Sequence, residues 1–65
     1  MRIEVNGEAR ELGVATLDEL LRELGLADAR VATAVNGDFV PVGARAQRRL
    51  ADGDRVEVLA PMQGG

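Results

Sequence analysis

The side chains that most often carry out chemistry at neutral pH are missing from this sequence. Its 65 residues include no His, Cys, Ser, Lys, Tyr or Trp, which removes most nucleophiles, Schiff-base amines and acid–base groups. Asp, Glu and Arg remain, together with two threonines, Thr16 and Thr33. No Asp/Glu cluster has the loop spacing of a calcium site, so we expect no bound metal. This inventory predicts a protein that is not itself an enzyme and holds no cofactor of its own.

The remaining candidate for chemistry is the carboxylate of Gly65, at the end of Pro61-Met62-Gln63-Gly64-Gly65. Proline cannot extend a strand ladder, so Pro61 is expected to release this segment from the fold. Glycine lacks a Cβ, and the last two residues can therefore pass a narrow channel. Fully extended, five residues reach about 17 Å. We expect Met62, Gln63 and Gly64 to thread a partner's active site and present the carboxylate for attack on a nucleotide phosphate. The alternative is a frayed terminus or a cloning remnant.

The best-marked element before this segment is a helix that begins at Thr16. Thr16 and Glu19 have the spacing of a capping box, and the apolar residues that follow recur at helical spacing. That apolar stripe consists of Leu17, Leu20, Leu21 and Leu24. Gly25 stands where a left-handed C-terminal cap is required. We therefore predict one helix whose leucine face packs on the core.

Strands are predicted on both sides of the helix from alternating or short apolar runs. They cover residues 1–5, 8–12, 31–35, 39–40 and 55–60. Asn6-Gly7 and Asn36-Gly37-Asp38 are predicted to connect two pairs of strands as tight turns, because Asn and Gly tolerate positive φ. Asp52-Gly53-Asp54 is a third turn, and 43–50 is expected to form a single helical turn anchored by Leu50.

This order of elements predicts an α+β fold of the β-grasp, or ubiquitin-like, type. A hairpin, a helix and further strands would build a mixed sheet of four to five strands packed on one main helix. The first and last strands would lie parallel at the centre, which requires a crossover such as this helix. Residues 1–60 are expected to form the domain and residues 61–65 a flexible C-terminal tail.

Charge and composition narrow the range of partners. Eleven acidic residues against eight arginines give a net charge of −3, and Phe39 is the only aromatic residue, so no basic patch with stacking rings points to nucleic acid. No apolar run approaches the roughly 20 residues that cross a bilayer, and the N-terminus does not resemble a signal peptide. We therefore expect a cytoplasmic protein that binds neither nucleic acid nor membrane.

Several stretches of the chain resemble the ThiS family of sulfur carriers, one branch of the ubiquitin-like ThiS/MoaD proteins. They are Val5-Asn6-Gly7-Glu8, Thr16-Leu17-Asp18-Glu19-Leu20-Leu21, Ala34-Val35-Asn36-Gly37, Val40-Pro41, Leu50-Ala51-Asp52-Gly53-Asp54-Arg55-Val56-Glu57-Val58 and Met62-Gln63-Gly64-Gly65. The likeness spans the whole chain. Its specific part is the Asp52-Gly53-Asp54 turn together with the Gly-Gly end.

The resemblance implies a sulfur-transfer function in the thiazole branch of thiamine biosynthesis. A ThiF-type adenylyltransferase would use magnesium and ATP to convert the Gly65 carboxylate to an acyl-adenylate. Sulfur from a persulfide protein would then leave a thiocarboxylate, and a ThiG-type thiazole synthase would accept that sulfur. Because the chain has no cysteine, it cannot carry sulfur as a persulfide, which leaves the terminal carboxylate as the attachment point.

Partner docking is expected on the open face of the sheet. Leu59 would lie there as an exposed apolar side chain, and Phe39 and Met62 are further candidates, Met62 because methionine adapts to varied contacts. A small cluster of basic residues is interpreted as a solvent-exposed face. It consists of Arg45, Arg48 and Arg49.

Three other functions remain open from the sequence. The small subunit of molybdopterin synthase, a MoaD-like sulfur carrier, would share the fold, the Gly-Gly end and the activation chemistry. A ubiquitin-like protein modifier would use the same end to form isopeptide bonds. A non-covalent regulatory β-grasp module would have no use for a free Gly-Gly end, so an added residue after Gly65 would leave it unharmed.

Overall fold

A computed structural model describes residues 1–60 of the chain. The described elements, in chain order, are strand β1 (Arg2–Val5), strand β2 (Glu8–Glu11), helix α1 (Leu17–Glu23), strand β3 (Ala32–Val35), strand β4 (Asp38–Val40), a short 3-10 helix (Val42–Ala44) and strand β5 (Arg55–Leu59). The prediction of residues 61–65 as a flexible tail lies outside the described residues.

The five strands form one mixed sheet in the order β2-β1-β5-β3-β4. β1 and β5 are parallel at its centre, whereas the β1–β2, β3–β4 and β3–β5 pairs are antiparallel. The helix supplies the crossover that the parallel pair requires. The predicted α+β fold of the β-grasp type is confirmed.

The core lies between the sheet and α1. Ile3, Val35 and Val56 are fully buried from the sheet side, and Leu17 and Leu20 are fully buried from the helix. Burying an aliphatic side chain of this size contributes roughly 1.5–3 kcal/mol. The predicted leucine face is therefore confirmed as a core face, and this core fixes how the sheet presents its opposite, open face.

The start of α1 differs in detail from the predicted capping box. The Thr16 hydroxyl donates to the Asp18 carboxylate instead of capping the helix, and Glu19 Oε1 accepts from the Ala15 N–H at 2.7 Å. The Leu17 N–H is satisfied by the main-chain carbonyl of Arg48 at 2.9 Å. A tertiary partner for the free amide therefore takes the place of the local cap.

The end of α1 follows the prediction. Gly25 has φ +77°, its N–H donates to the Arg22 carbonyl at 3.0 Å, and the Leu26 N–H donates to the Leu21 carbonyl at 2.7 Å. These two bonds are those of a Schellman motif, which requires a left-handed residue at the position of Gly25.

The segment between β4 and β5 differs from the predicted single helical turn over 43–50. The 3-10 helix covers Val42–Ala44, and turns continue to Gln47. Leu50 is buried and anchors the segment as expected, and its N–H donates to the Ala15 carbonyl at 2.9 Å.

Arg45 corrects the interpretation of the basic cluster as a solvent-exposed face. Its side chain is only 8% exposed; Nε donates to Thr33 Oγ1 at 3.0 Å and Nη2 donates to the Val31 carbonyl at 2.5 Å. The Thr33 hydroxyl in turn donates to the Val40 carbonyl at 2.8 Å. We call residues 42–47, the 3-10 helix and the turns that follow it, the 3-10 segment. The guanidinium connects this segment to β3, because its several N–H groups can reach both acceptors at once.

Candidate functional site

The described part of the candidate site is the end of β5, where the chain leads into residues 61–65. The predicted thiocarboxylate position, Gly65, and the predicted threading residues, Met62, Gln63 and Gly64, lie outside the described residues. What the structure describes is the surface around Leu59 and Ala60, from which that segment continues.

Leu59 and Phe39 lie on the same face of the sheet. Leu59 on β5 is paired with Ala32 on β3, and Phe39 on β4 is paired with Ala34 on β3. Directly paired residues point to the same face, as do residues two apart in a strand. Leu59 is 63% exposed and Phe39 is 69% exposed, so these two predicted docking residues are on the open face of the sheet; Met62, the third, lies outside the described residues.

Alternation along β5 explains why Leu59 is exposed. Val56 is buried and Val58 half-buried on the helix side, whereas Arg55 and Glu57 are exposed on the open face together with Leu59. An apolar residue at an outward position is therefore a property of the local sequence. It is the signal from which Leu59 could be predicted.

We call Ala32, Ala34, Phe39 and Leu59 the open-face patch. The two alanines are small enough to leave the larger side chains accessible on either side of β3. Their outward position was not predicted, because the polar residue of the run 31–35, Thr33, is itself buried and the pattern therefore gives no sign of which residues face outward. The strand register supplies that information.

The rest of the open face is charged. Arg2 and Glu4 on β1 and Arg55 and Glu57 on β5 point outward, since their strand neighbours Ile3, Val5 and Val56 are buried. Glu57 is paired with Ala34, next to the open-face patch. The sheet thus presents an apolar half near β3, β4 and the end of β5, and a charged half near β1.

A shallow hollow adjoins the open-face patch at the end of β5. Val42 and Arg45 line it from the 3-10 segment, and Ala32, Leu59 and Ala60 line it from the sheet. Val42 is 72% exposed. Sequence reasoning did not identify it, because it lies in a Pro-Val-Gly stretch with no periodic pattern.

Two asparagine side chains hold β5 on either side. Asn6 Oδ1 accepts from the Val58 N–H at 2.8 Å, and Asn6 Nδ2 donates to the Val58 carbonyl at 3.0 Å. Asn36 Oδ1 accepts from the Arg55 N–H at 3.0 Å. Both asparagines have positive φ, of 50° and 51°, so the predicted Asn-Gly turns are confirmed and their side chains prove to pair with β5.

The carboxylates of the Asp52-Gly53-Asp54 turn bind the start of β1 and the turn at Asn36. Asp52 Oδ1 accepts from the Arg2 N–H at 2.6 Å, and Asp54 Oδ2 accepts from the Ala51 N–H at 2.8 Å. The hydrogen bond from the Asn36 amide, followed by the one from Ala51, lowers the pKa of Asp54 below its ordinary value. This turn, the most specific described stretch of the family resemblance, therefore helps to position the central strands.

Among residues 1–60, no group of three or more acidic side chains is placed to hold a metal ion. Within the same range, no helix is long and apolar enough to cross a membrane.

The whole pattern matches one known family. A model of the ThiS family matches residues 3–65 of the chain. The chain belongs to the ThiS family. It is 44% identical over 61 residues to the sulfur carrier protein ThiS of Thermus thermophilus, an alignment that covers 94% of this chain and 95% of that protein.

A second relative is a longer protein. The chain is 38% identical to a thiazole synthase of Paramagnetospirillum magneticum over 66 aligned positions, which cover all of this chain and 20% of that protein. This ThiS family member thus spans about a fifth of the length of that relative.

Solved structures support the same assignment. The crystal structure of the thiamine biosynthesis protein ThiS of Geobacter metallireducens superposes with a TM-score of 0.84 at 35% identity, and each chain is covered completely. An NMR solution structure of a thiamine biosynthesis protein from the same organism gives a TM-score of 0.78 at 33% identity, covering 100% of this chain and 88% of that one.

Proposed function

We propose that the chain is a sulfur carrier in thiamine biosynthesis whose reactive group is the carboxylate of Gly65. The observation that carries this proposal is that the ThiS family model extends through residue 65, so that Gly64 and Gly65 belong to the matched region. The described fold supports it, because β5 leads directly from the open-face patch into the segment that ends in these glycines.

The proposed chemistry begins with activation by a ThiF-type adenylyltransferase. An oxygen of the Gly65 carboxylate attacks the α-phosphorus of magnesium-bound ATP, and pyrophosphate leaves. The resulting acyl-adenylate has a good leaving group, AMP, in place of the poor one that a free carboxylate offers. ATP and magnesium are therefore substrates of the partner enzyme and not cofactors of this chain.

Sulfur transfer completes the cycle. The outer sulfur of a protein persulfide attacks the acyl carbon and displaces AMP, and reduction of the sulfur–sulfur bond by a thiol leaves the thiocarboxylate. A ThiG-type thiazole synthase then takes the sulfur. The chain's match to part of a protein named thiazole synthase supports this choice of acceptor.

The chain contributes recognition and reach to this reaction. The open-face patch offers an apolar docking surface next to the end of β5. The charged half of the sheet borders it, and an apolar centre with a polar rim is common in protein interfaces. The sequence lacks His, Cys, Ser, Lys and Tyr, the side chains that most often act as nucleophiles or as acid–base groups at neutral pH, so we assign the chemistry to the partners.

The intact mass of the chain tests the proposal. After incubation with a ThiF-type enzyme, magnesium-ATP, a persulfide donor and a thiol, we expect a mass gain equal to replacement of one oxygen by one sulfur, located at Gly65 by fragmentation. A variant with one alanine added after Gly65 keeps the domain and serves as the matched control, which should gain no mass. No gain in the wild-type chain, with an enzyme that converts its own carrier, would contradict the proposal.

A further inference from the structure

The last residues of β5 extend past the end of the neighbouring strand β1. β1 pairs with β5 at Glu4↔Arg55 and Val5↔Val56. The main chain then turns away at Asn6, whose φ is 50°. On the side of β1, Val58, two residues beyond the last pair, therefore lies beside the turn and not beside a strand, whereas on its other side it is paired with Thr33 of β3.

The side chain of Asn6 continues the ladder where the main chain leaves it. Along the parallel pair, the Glu4 N–H donates to the Asp54 carbonyl at 3.0 Å, and the Asn6 N–H donates to the Val56 carbonyl at 2.9 Å. The next carbonyl in this series is that of Val58, and Asn6 Nδ2 donates to it at 3.0 Å. The Val58 N–H donates to Asn6 Oδ1 at 2.8 Å. A primary amide carries N–H donors and a carbonyl acceptor in the same plane, and the side chain of Asn6 therefore substitutes for a peptide group.

We propose that Asn6 is a positioning residue for sulfur loading, a role that rests on the proposed function. It fixes the end of β5 on the side of β1, while the pairing of Leu59 with Ala32 fixes it on the side of β3. The end of β5 holds one residue of the open-face patch, Leu59, and leads through Ala60 into 61–65. Asn6 thereby fixes the position of Leu59 in the open-face patch relative to Ala60, after which residues 61–65 begin.

This relation matters because the activating enzyme must hold the open-face patch and the Gly65 carboxylate at the same time. Linked binding of two parts depends on the length and stiffness of the connection between them. If the end of β5 opened, residues 58–60 would join the connection and Leu59 would leave the patch. Docking would weaken, whereas the chemistry at a carboxylate already in place would not change.

Asn36 provides a matched control within the same strand. It also precedes a glycine and has φ 51°, and its side chain also makes two hydrogen bonds, from the Arg55 N–H at 3.0 Å and to Asp54 Oδ1 at 3.0 Å. These bonds hold the start of β5, away from the open-face patch and from Ala60.

The test compares Asn6→Gly with Asn36→Gly. Glycine accepts the left-handed φ at both positions without strain, so each variant loses its two side-chain hydrogen bonds and little else. We expect similar falls in Tm. Amide exchange at Leu59 should speed up about tenfold in Asn6→Gly, since local opening is set by the bonds that close the segment, and should stay within about twofold in Asn36→Gly.

The KM and kcat of the activating enzyme distinguish a positioning role of Asn6 from a purely structural one. For thiocarboxylation by a ThiF-type enzyme, well below the Tm of both variants, Asn6→Gly is expected to raise KM about fivefold or more with kcat nearly unchanged, because uniform binding is lost and the chemical step is not. Asn36→Gly should leave both constants close to those of the wild-type chain. Should Asn6→Gly fail to fold, Asn6→Asp, which retains the hydrogen bond from the Val58 N–H and loses the one to the Val58 carbonyl, is compared with the wild-type chain and Asn36→Gly in the same measurements.

Equal KM values for the two variants would overturn the positioning role alone, and so would an unchanged KM in Asn6→Gly despite faster exchange at Leu59. If the enzyme does not convert the wild-type chain, the proposed function fails and the role of Asn6 fails with it. The wild-type reaction thus separates the two failures.

Discussion

Arg45 shows how one residue can hold a small domain together without belonging to its apolar core. Its guanidinium is buried against Thr33 and the Val31 carbonyl, and these acceptors lie 12 and 14 residues away in the sequence. Lysine could not replace this arrangement, because a single ammonium group lacks the planar set of donors that reaches two acceptors.

Arg45→Lys is therefore expected to lower the free energy of unfolding by about 1–3 kcal/mol. Arg49→Lys, at an exposed position, should change it by less than about 0.5 kcal/mol. Urea titrations of the two variants and the wild-type chain make the comparison. Equal effects of the two substitutions would show that the buried hydrogen bonds of Arg45 contribute little.

Asp54 gives the fold a dependence on pH. Hydrogen bonds from Asn36 and Ala51 lower its pKa in the folded protein below the ordinary value of 3.8, so its carboxylate stabilises the folded state above that pH. The contribution is lost as the pH falls through the lower, folded-state pKa.

Asp54→Asn is accordingly expected to be less stable than the wild-type chain at pH 7, with a difference that shrinks as the pH falls below about 4. Urea midpoints measured between pH 7 and pH 3 test this. Asp28→Asn, in an exposed loop, removes the same charge and serves as the control. A gap between Asp54→Asn and wild type that stays constant down to pH 3 would contradict the prediction.

At the scale of elements, the stability of α1 depends more on its packing against the sheet than on the capping of its ends. The helix has seven residues, which is too short to be stable alone in water. Its stability comes from the leucine face against the sheet and from the Arg48 and Arg45 carbonyls, which accept from its first N–H groups.

Leu20→Ala should cost about 2–5 kcal/mol, a large part of the roughly 5–15 kcal/mol that stabilises a typical domain. Leu24→Ala, at a half-buried position next to the helix end, should cost clearly less. Thermal unfolding followed by circular dichroism compares the two. A smaller loss for Leu20→Ala than for Leu24→Ala would mean that the core is centred elsewhere.

The sequence predicted those features that depend on neighbouring residues. The alternation of Ile3 and Val5, the leucine spacing of α1, the Asn-Gly turns and the cap at Gly25 all follow from local backbone and side-chain chemistry. The capping of α1 by Arg48, the burial of Arg45 and the pairing of Asn6 with Val58 do not, because each depends on a partner at least 12 residues away that only the folded chain brings near.

The same distinction holds for the candidate site. The outward position of Leu59 follows from alternation along its own strand. The full extent of the open-face patch, with Ala32 and Ala34 between the larger residues, depends on the register of three strands. The role of Gly65 and of the docking residues stays a prediction.

At the scale of the whole molecule, the division of the open face into an apolar half and a charged half predicts where partners bind. Leu59→Ala is expected to raise KM for thiocarboxylation about tenfold, since an exposed apolar contact at a docking surface is lost. Its Tm should change little, because Leu59 is largely exposed. Glu11→Ala, on the same face at the far edge beyond β1, is the control and should leave KM unaltered. A similar KM for both variants would place docking outside the open-face patch.

The central position of β5 also governs the order in which the chain can fold. The β1–β2 and β3–β4 hairpins involve near neighbours and can form early, but they do not touch each other until β5 enters between them. That step joins residues as far apart as Asn6 and Val58, 52 positions along the chain, and such distant contacts slow folding. Because both need β5 in place, the open-face patch and the anchored strand end are complete only after this step. In the proposed function, an activating partner that recognises them together would therefore act on folded chains and consume no ATP on incompletely folded ones.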